Sequence, residues 1–493
     1  MKRVAIVGGG IAGLSAAYYL EKARRNGAEL EWTLLEKSGR LGGVIRTEHR
    51  EGYILEAGPD SFLTEKPDAS QLCRELGIVG ELIPSNDFQR KTYIVVKNRL
   101  VTIPDGLQFM VPTRLLPMVT TPLFSAGAKL RMATEWFRRP RSDDQDKGAN
   151  QDESSHQDES VGSFVRRHFG QEMVDRVAEP MLSGVFGGDV DRLSVRAVLQ
   201  RFVTMEREHG SLVRASLKKR KASSGATPAP LFTSLRNGVQ QLVEALLGSL
   251  PSASLRVGHG VTSLRGGNNA WQLETSEAPR TNATNATNAT NGTDTTNGTN
   301  AANAPFTAVL LAVPAPTAAG LLAPIDPEIS ARLAKIQYTS SAAVVLAYTK
   351  ADLPPGFGFL VPRSEGRKMM ACTFVHNKFS GRAPEGTSLV RCFFSNSRVA
   401  NLMDYSDDEL KSLALQELKE ILGLDAQPQF SCVFRWGQAL PQYETGHLER
   451  AAEIEARLSK TPGLQVIGNS LYGVGIPDCI KSARLAVEKL LST

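Results

Sequence analysis

Four short segments carry residue types whose spacing points to a bound dinucleotide. The first is Gly8-Gly9-Gly10-Ile11-Ala12-Gly13, a G-x-G-x-x-G string. Gly8 permits a tight turn, Gly10 lets the backbone approach a pyrophosphate, and Gly13 lets a helix close on the preceding strand. The unpaired N–H groups at the start of that helix, with the positive end of its dipole, then face the phosphates. The second is Glu36, 23 residues beyond Gly13. Its carboxylate suits ribose hydroxyls and repels a 2'-phosphate, which disfavours NADP. The third is Lys37-Ser38-Gly39-Arg40-Leu41-Gly42-Gly43, a second glycine-rich turn of the kind that follows an extended cofactor. The fourth is Gly58-Pro59-Asp60-Ser61, shortly after it.

Elements of the right kind flank these segments. Val4-Ala5-Ile6-Val7 is a continuous apolar run, as a buried parallel strand requires, and an alanine-rich helix follows to Leu20. Trp32-Thr33-Leu34-Leu35 is a second strand ending on Glu36. Residues 64–84 predict a helix with Leu72, Leu76 and Leu82 on one face, and 93–96 with 100–103 predict a ribbon turning at Lys97-Asn98. Residues 108–215 read as mostly helical. From Val257 onward, short strands at 261–264, 271–274 and 309–313 return the chain to its first domain. At the far end Gly475-Ile476-Pro477 opens a helix whose buried face is Ile480, Ala483, Val487 and Leu490.

Composition removes several function classes. The chain has 493 residues, too many for one core, so two or three domains are expected. A net charge of +6 spread along the sequence does not imply nucleic acid, and the Lys218-Lys219-Arg220-Lys221 cluster reads as a solvated loop. Five cysteines without C-x-x-C spacing indicate neither a disulfide framework nor a zinc site, and fit a reducing cytoplasm. The start of the sequence does not read as a signal peptide. The apolar stretch 107–137 is broken by Pro112, Pro117, Pro122, Arg114, Lys129 and Arg131, which excludes a spanning helix. Residues 142–160 and 281–303 are polar, repetitive loops, and the Asn-x-Thr sequons in the second carry no functional weight.

The Gly39-Arg40-Leu41-Gly42-Gly43 turn directly after the acidic strand end resembles that of the FAD-dependent amine oxidase superfamily, which turns the cofactor expectation from NAD to FAD. The chain as a whole resembles the bacterial oxygen-dependent porphyrinogen oxidases of haem biosynthesis, which act on protoporphyrinogen IX or coproporphyrinogen III. The strings that carry the likeness include residues 58–63, 179–189, 439–443 and 475–480, with Arg435-Trp436 and Gly446-His447.

The resemblance implies an α/β chain, α+β overall. Residues 1–86, 230–320 and 455–493 would form a Rossmann-like FAD domain; 87–107, 175–229 and 321–454 a mixed-sheet substrate domain; and 108–174 a helical domain. FAD would be held by Gly8, Gly9, Gly10, Ile11, Ala12, Gly13, Glu36, Lys37, Arg40, Gly42, Gly43, Gly58, Pro59, Asp60, Ser61, Val261, Trp436, Gly475, Ile476 and Pro477. Phe357, Leu321, Leu322 and Leu333 would clamp the tetrapyrrole, and Arg90 would pair a propionate.

The implied reaction removes six electrons in three flavin cycles, with O2 reduced to H2O2 and no residue acting as nucleophile or metal ligand. Peripheral contact with the inner face of the membrane through 109–139, and ferrochelatase as a neighbouring enzyme, belong to the same implication. Two rivals stand beside it. An amine oxidase or carotenoid-type desaturase shares the fold, the amine enzymes needing an aromatic cage and a lysine near the flavin; a flavin-binding protein without turnover would keep the cofactor motifs alone.

Overall fold

The computed structural model describes residues 1–140, 158–222, 230–277 and 304–492. Most of the two repetitive loops, 142–157 and 281–303, lies outside them. The last residues of the first loop do not fit the loop expectation. Glu159 is hydrogen-bonded to Arg167, and Ser160 caps the helix Val161–Phe169 by accepting from the Ser163 N–H at 3.1 Å.

A five-stranded parallel sheet forms the first layer, in the order 255–257, 30–36, 2–7, 308–311, 464–466. Its central strand, Lys2–Val7, is apolar on both faces from Val4 onward because helices cover both. Val4 and Ile6 pack with the helices Ile11–Arg25, Gln240–Ser249 and Ile476–Ser492. Ala5 and Val7 pack on the other side with the helices Ala315–Leu322, Pro327–Ala334 and His447–Leu458. The expected boundary at 320/321 therefore falls inside a packed helix pair that belongs to the first sheet.

A seven-stranded mixed sheet forms the second body, in the order 430–441, 338–348, 388–395, 371–374, 358–360, 92–96, 99–102. Only the 358–360 and 92–96 pair is parallel. Strand alternation gives this sheet two different faces. Val344, Leu346, Val390, Cys392 and Phe394 bury the helix Asp407–Leu422, while Val345, Ala347, Leu389 and Phe434 meet Tyr53, Leu55 and Ala57 of the first body. A third cluster gathers the helices between 115 and 222.

The predicted helix over 64–84 is shorter than the periodicity implies. It runs from Pro67 to Glu75, stops at Gly77, whose φ is +74°, and Leu82–Pro84 joins a small sheet with Phe232–Leu235. The ribbon holds as predicted, with Lys97 and Asn98 both at positive φ in a two-residue turn. All five cysteines are free, and the Cys372 and Cys392 sulfurs lie 3.9 Å apart on paired strands.

Candidate active site

The glycine turn shows three tightly fitted positions and one open one. A β-carbon at Gly8 would strike the Ala312 carbonyl, at Gly9 the Leu41 side chain, and at Gly13 the Gly8 carbonyl. At Gly10 it would meet nothing within 4 Å. Gly10 also sits at the N-cap of the helix Ile11–Arg25, which has no side-chain cap and no acid in its first turn. Helix-start N–H groups without a protein cap, next to open space, fit a pyrophosphate.

Glu36 is fixed by two backbone hydrogen bonds. Its Oε2 accepts the Gly9 N–H at 2.6 Å and its Oε1 the Ser38 N–H at 2.7 Å, which fixes the carboxylate at the strand end beside the turn. The second glycine turn lies against the first: Gly42 N–H donates to the Gly9 carbonyl at 2.8 Å, and Gly10 pairs with Gly42. Arg40 braces this loop by donating to the carbonyls of Gly43 and Ile45, both at 2.6 Å. Lys37 packs on Gly260, next to Val261. At the other end, Gly475 N–H donates to Asp478 Oδ2 at 3.1 Å, and Asp478 pairs with Lys66 at 2.7 Å, which ties the helix Ile476–Ser492 to the segment after Ser61.

The turn at 57–61 is clamped from the second sheet. Arg391 donates to the carbonyls of Ala57 at 3.1 Å and Gly58 at 2.6 Å, and Trp436 Nε1 donates to the same Ala57 carbonyl at 2.8 Å. Lys378 Nζ lies 2.8 Å from Asp60 Oδ2 and 3.3 Å from Ser61 Oγ, over the ring of Phe232. Ser234 Oγ donates to the Asp60 carbonyl at 2.7 Å. Burial alone would push the Asp60 carboxyl up, but the charges of Lys378 and Arg391 and two hydrogen bonds hold it well below the usual carboxylate range. Glu56 behaves oppositely. Burial pushes it up despite hydrogen bonds from Thr47 and the Val239 N–H.

Arg391 and Lys378 escape a reading of the sequence. The available signal for Arg391 is a lone cation in the strand Ser388–Ser395, on the same face as Leu389. For Lys378 there is no local signal, because its partner Asp60 is 318 positions away.

The expected tetrapyrrole contacts divide. Phe357 N–H donates to the Lys91 carbonyl at 2.8 Å, so Phe357 lies next to the segment carrying Arg90. Arg90 is exposed, its nearest acid being Asp87 at 3.9 Å. Leu321, Leu322 and Leu333 do not join them. They are 5%, 0% and 0% exposed in the core behind the parallel sheet; what sets them apart from Phe357, itself 8% exposed, is this place in the core of the first sheet, away from the segment carrying Arg90. Their helices supply the cover that a two-sided parallel sheet needs. Among the described residues no group of three His, Cys, Asp or Glu is placed to hold a metal ion.

The family described as "Flavin containing amine oxidoreductase" matches residues 11–491. The chain belongs to that family. It is an oxidoreductase, and FAD is its cofactor. Coproporphyrinogen III oxidase of Bacillus subtilis (strain 168) is 34% identical over 100% of this chain and 98% of its own length. Coproporphyrinogen III oxidase of Staphylococcus aureus (strain NCTC 8325 / PS 47) is 29% identical over 100% and 99%. Among solved structures, a protein from Exiguobacterium sp. 255-15 provisionally named a protoporphyrinogen oxidase superposes with a TM-score of 0.81 at 28% identity, over 100% of this chain and 99% of that one.

Proposed function

We propose that this enzyme oxidises a porphyrinogen, coproporphyrinogen III before protoporphyrinogen IX, to the corresponding porphyrin, with O2 as final acceptor. The observation that carries this reading is the 34% identity, from end to end, to a coproporphyrinogen III oxidase. When bound, FAD supplies the two-electron acceptance that such an oxidation uses three times, each round ending in one H2O2. The residues of the chain hold it. The uncapped helix start at Ile11 to Gly13 takes the pyrophosphate, Glu36 the ribose, Arg40, Gly42 and Gly43 the second turn, and 57–61 with 475–477 the flavin end.

The substrate end of the site is apolar. Beside Phe357, the strand Gly358–Leu360 brings Leu360 against Gly184 of the helix Glu179–Phe186, whose Val185 is 54% exposed. Surface of this kind suits a flexible macrocycle, and Arg90 suits one of its propionates. Incubated aerobically with each porphyrinogen, the protein is expected to generate porphyrin fluorescence faster from coproporphyrinogen III, with one H2O2 per electron pair. Arg90→Ala is expected to raise KM several-fold at nearly constant kcat, about 1 kcal/mol for one exposed charge-assisted contact. Fluorescence from neither substrate, together with peroxide from a polyamine, would reverse the reading in favour of an amine oxidase.

Peripheral membrane contact belongs to the same proposal. No helix among the described residues is long and apolar enough to cross a membrane. The segment 114–139 nevertheless exposes Leu116, Val119, Leu130, Trp136 and Phe137, the last at 79%, with Arg114, Arg131 and Arg139 also exposed. Apolar tips among basic residues match an anionic lipid surface. Leu130→Asp with Phe137→Asp is expected to cut co-sedimentation with phosphatidylglycerol vesicles at least fivefold, each lost side chain being worth about 1 kcal/mol or more. Unchanged co-sedimentation assigns the lipid contact elsewhere. Ferrochelatase is the partner this reading implies, since a free porphyrin is what metal insertion consumes.

A further inference from the structure

Arg391 is a buried cation without a contacting carboxylate. Only 6% of it is exposed, and its hydrogen-bond acceptors are the two consecutive carbonyls of Ala57 and Gly58. Its Nε is buried without a hydrogen-bond partner. Its guanidinium also lies over the Phe393 ring at 4.7 Å. A guanidinium taken from water at this cost needs a purpose, because an apolar residue in the same strand position would pack beside Leu389 without it.

The purpose is legible in what it grips. Gly58, which opens the turn, packs closely on the Val44 carbonyl, which a β-carbon there would strike. Pro59 at its second position removes one N–H and fixes one φ. The carbonyls of Ala57 and Gly58 are turned toward the second sheet, so the opposite edge of the turn faces away from it. Trp436 shares the Ala57 carbonyl, and Lys378 holds Asp60 three residues on. Three side chains from three separate elements of the second sheet's domain therefore converge on five residues of the first.

We propose that Arg391 is a positioning residue for the flavin, orienting the 57–61 turn by gripping its carbonyls from behind. This rests on the reading that 57–61 contacts FAD. Two consequences distinguish it from a fold-stabilising residue. Loss of the grip changes the surroundings of the flavin, hence its absorption and its affinity. It also slows turnover without weakening substrate binding, since Arg391 is not a substrate contact.

The test uses the full chain as Arg391→Met and Arg391→Lys, each reconstituted with FAD. With Arg391→Met, the FAD dissociation constant is expected to rise about tenfold, the visible flavin bands to shift, and kcat for coproporphyrinogen III to fall on the order of 10- to 100-fold with KM within twofold. Arg391→Lys keeps the charge but only part of the fork, and is expected to recover part of each loss. Parent-like FAD affinity, spectrum and kcat in Arg391→Met overturn the proposal, as does a raised KM at constant kcat. If Arg391→Met does not fold, as judged by far-UV circular dichroism, Arg391→Lys decides alone, and a parent-like spectrum and kcat there overturn it. If the parent retains FAD but substitutions at Ser61 leave the flavin spectrum untouched, the reading of 57–61 fails, and Arg391 with it.

Discussion

Gly10→Val is expected to leave the protein folded and unable to hold FAD. The reason is the contrast among the four glycines of the turn. Gly10 has φ −73° and ψ −178°, a conformation any residue adopts, and a β-carbon there meets nothing within 4 Å. The protein itself makes no demand for glycine at this position. On the proposed placement of FAD the demand comes from the pyrophosphate, which would approach the backbone where the valine methyls stand. At Gly8, Gly9 and Gly13 the β-carbon would instead collide with this chain, so alanine at Gly13 is expected to damage the strand-to-helix packing and destabilise the apoprotein.

The measurement is therefore paired. Gly10→Val purified without added flavin is expected to match the apo parent in far-UV circular dichroism and to lose at least a hundredfold in FAD affinity, about 3 kcal/mol. Gly13→Ala is expected to lose stability before cofactor is considered. Normal flavin content in folded Gly10→Val would remove the pyrophosphate from this turn.

What the sequence made legible was local. The strand Lys2–Val7, the turn, the helix and the acid at Glu36 all lie within 36 residues, and each follows from hydrophobic runs, glycine spacing and chain direction. Glu36 ends its strand beside Gly9 because the strands 2–7 and 30–36 pair in parallel, which a β-α-β unit requires. The ribbon at 92–102 was legible for the same reason, its Lys97-Asn98 turn being written between two apolar runs.

The substrate end was less legible because burial is not a local property. The apolar helices 315–322 and 327–334 carry the same pattern whether they cover a sheet or line a cavity, and the structure makes them cover. Their leucines are accordingly core. The helix expected over 64–84 shows a related failure, since Leu82 keeps the helical spacing yet belongs to a strand whose partners are at 233–235. Arg391 and Lys378 meet their partners across more than 300 residues, and only the pairing of the second sheet with the first body brings them there.

Breaking the Lys378–Asp60 pair gives the second large expected effect. Lys378→Met is expected to lower stability at pH 7.5 by about 2–4 kcal/mol, because it leaves a mostly buried carboxylate short of its nearest cation. The figure is set somewhat below the ~3–5 kcal/mol of fully buried pairs, since 12% of the Lys378 side chain and 18% of the Asp60 side chain remain exposed. The pH dependence follows from the depressed Asp60 carboxyl. A folded-state pKa below the unfolded value contributes stability that is fully present above the unfolded pKa of about 3.9 and is lost as pH falls through the folded one. Removing Lys378 raises the folded value toward or above the unfolded one, so the variant loses that contribution at neutral pH. As pH falls, its Asp60 protonates in the folded state before the parent's does, and a neutral carboxyl no longer needs the lysine. The stability gap between parent and variant, measured by urea unfolding, is therefore expected to be widest at pH 7.5 and to narrow from about pH 5 downward. A gap that stays constant to pH 4 would assign the loss to the contact of the lysine ammonium with the Phe232 ring and not to the ion pair.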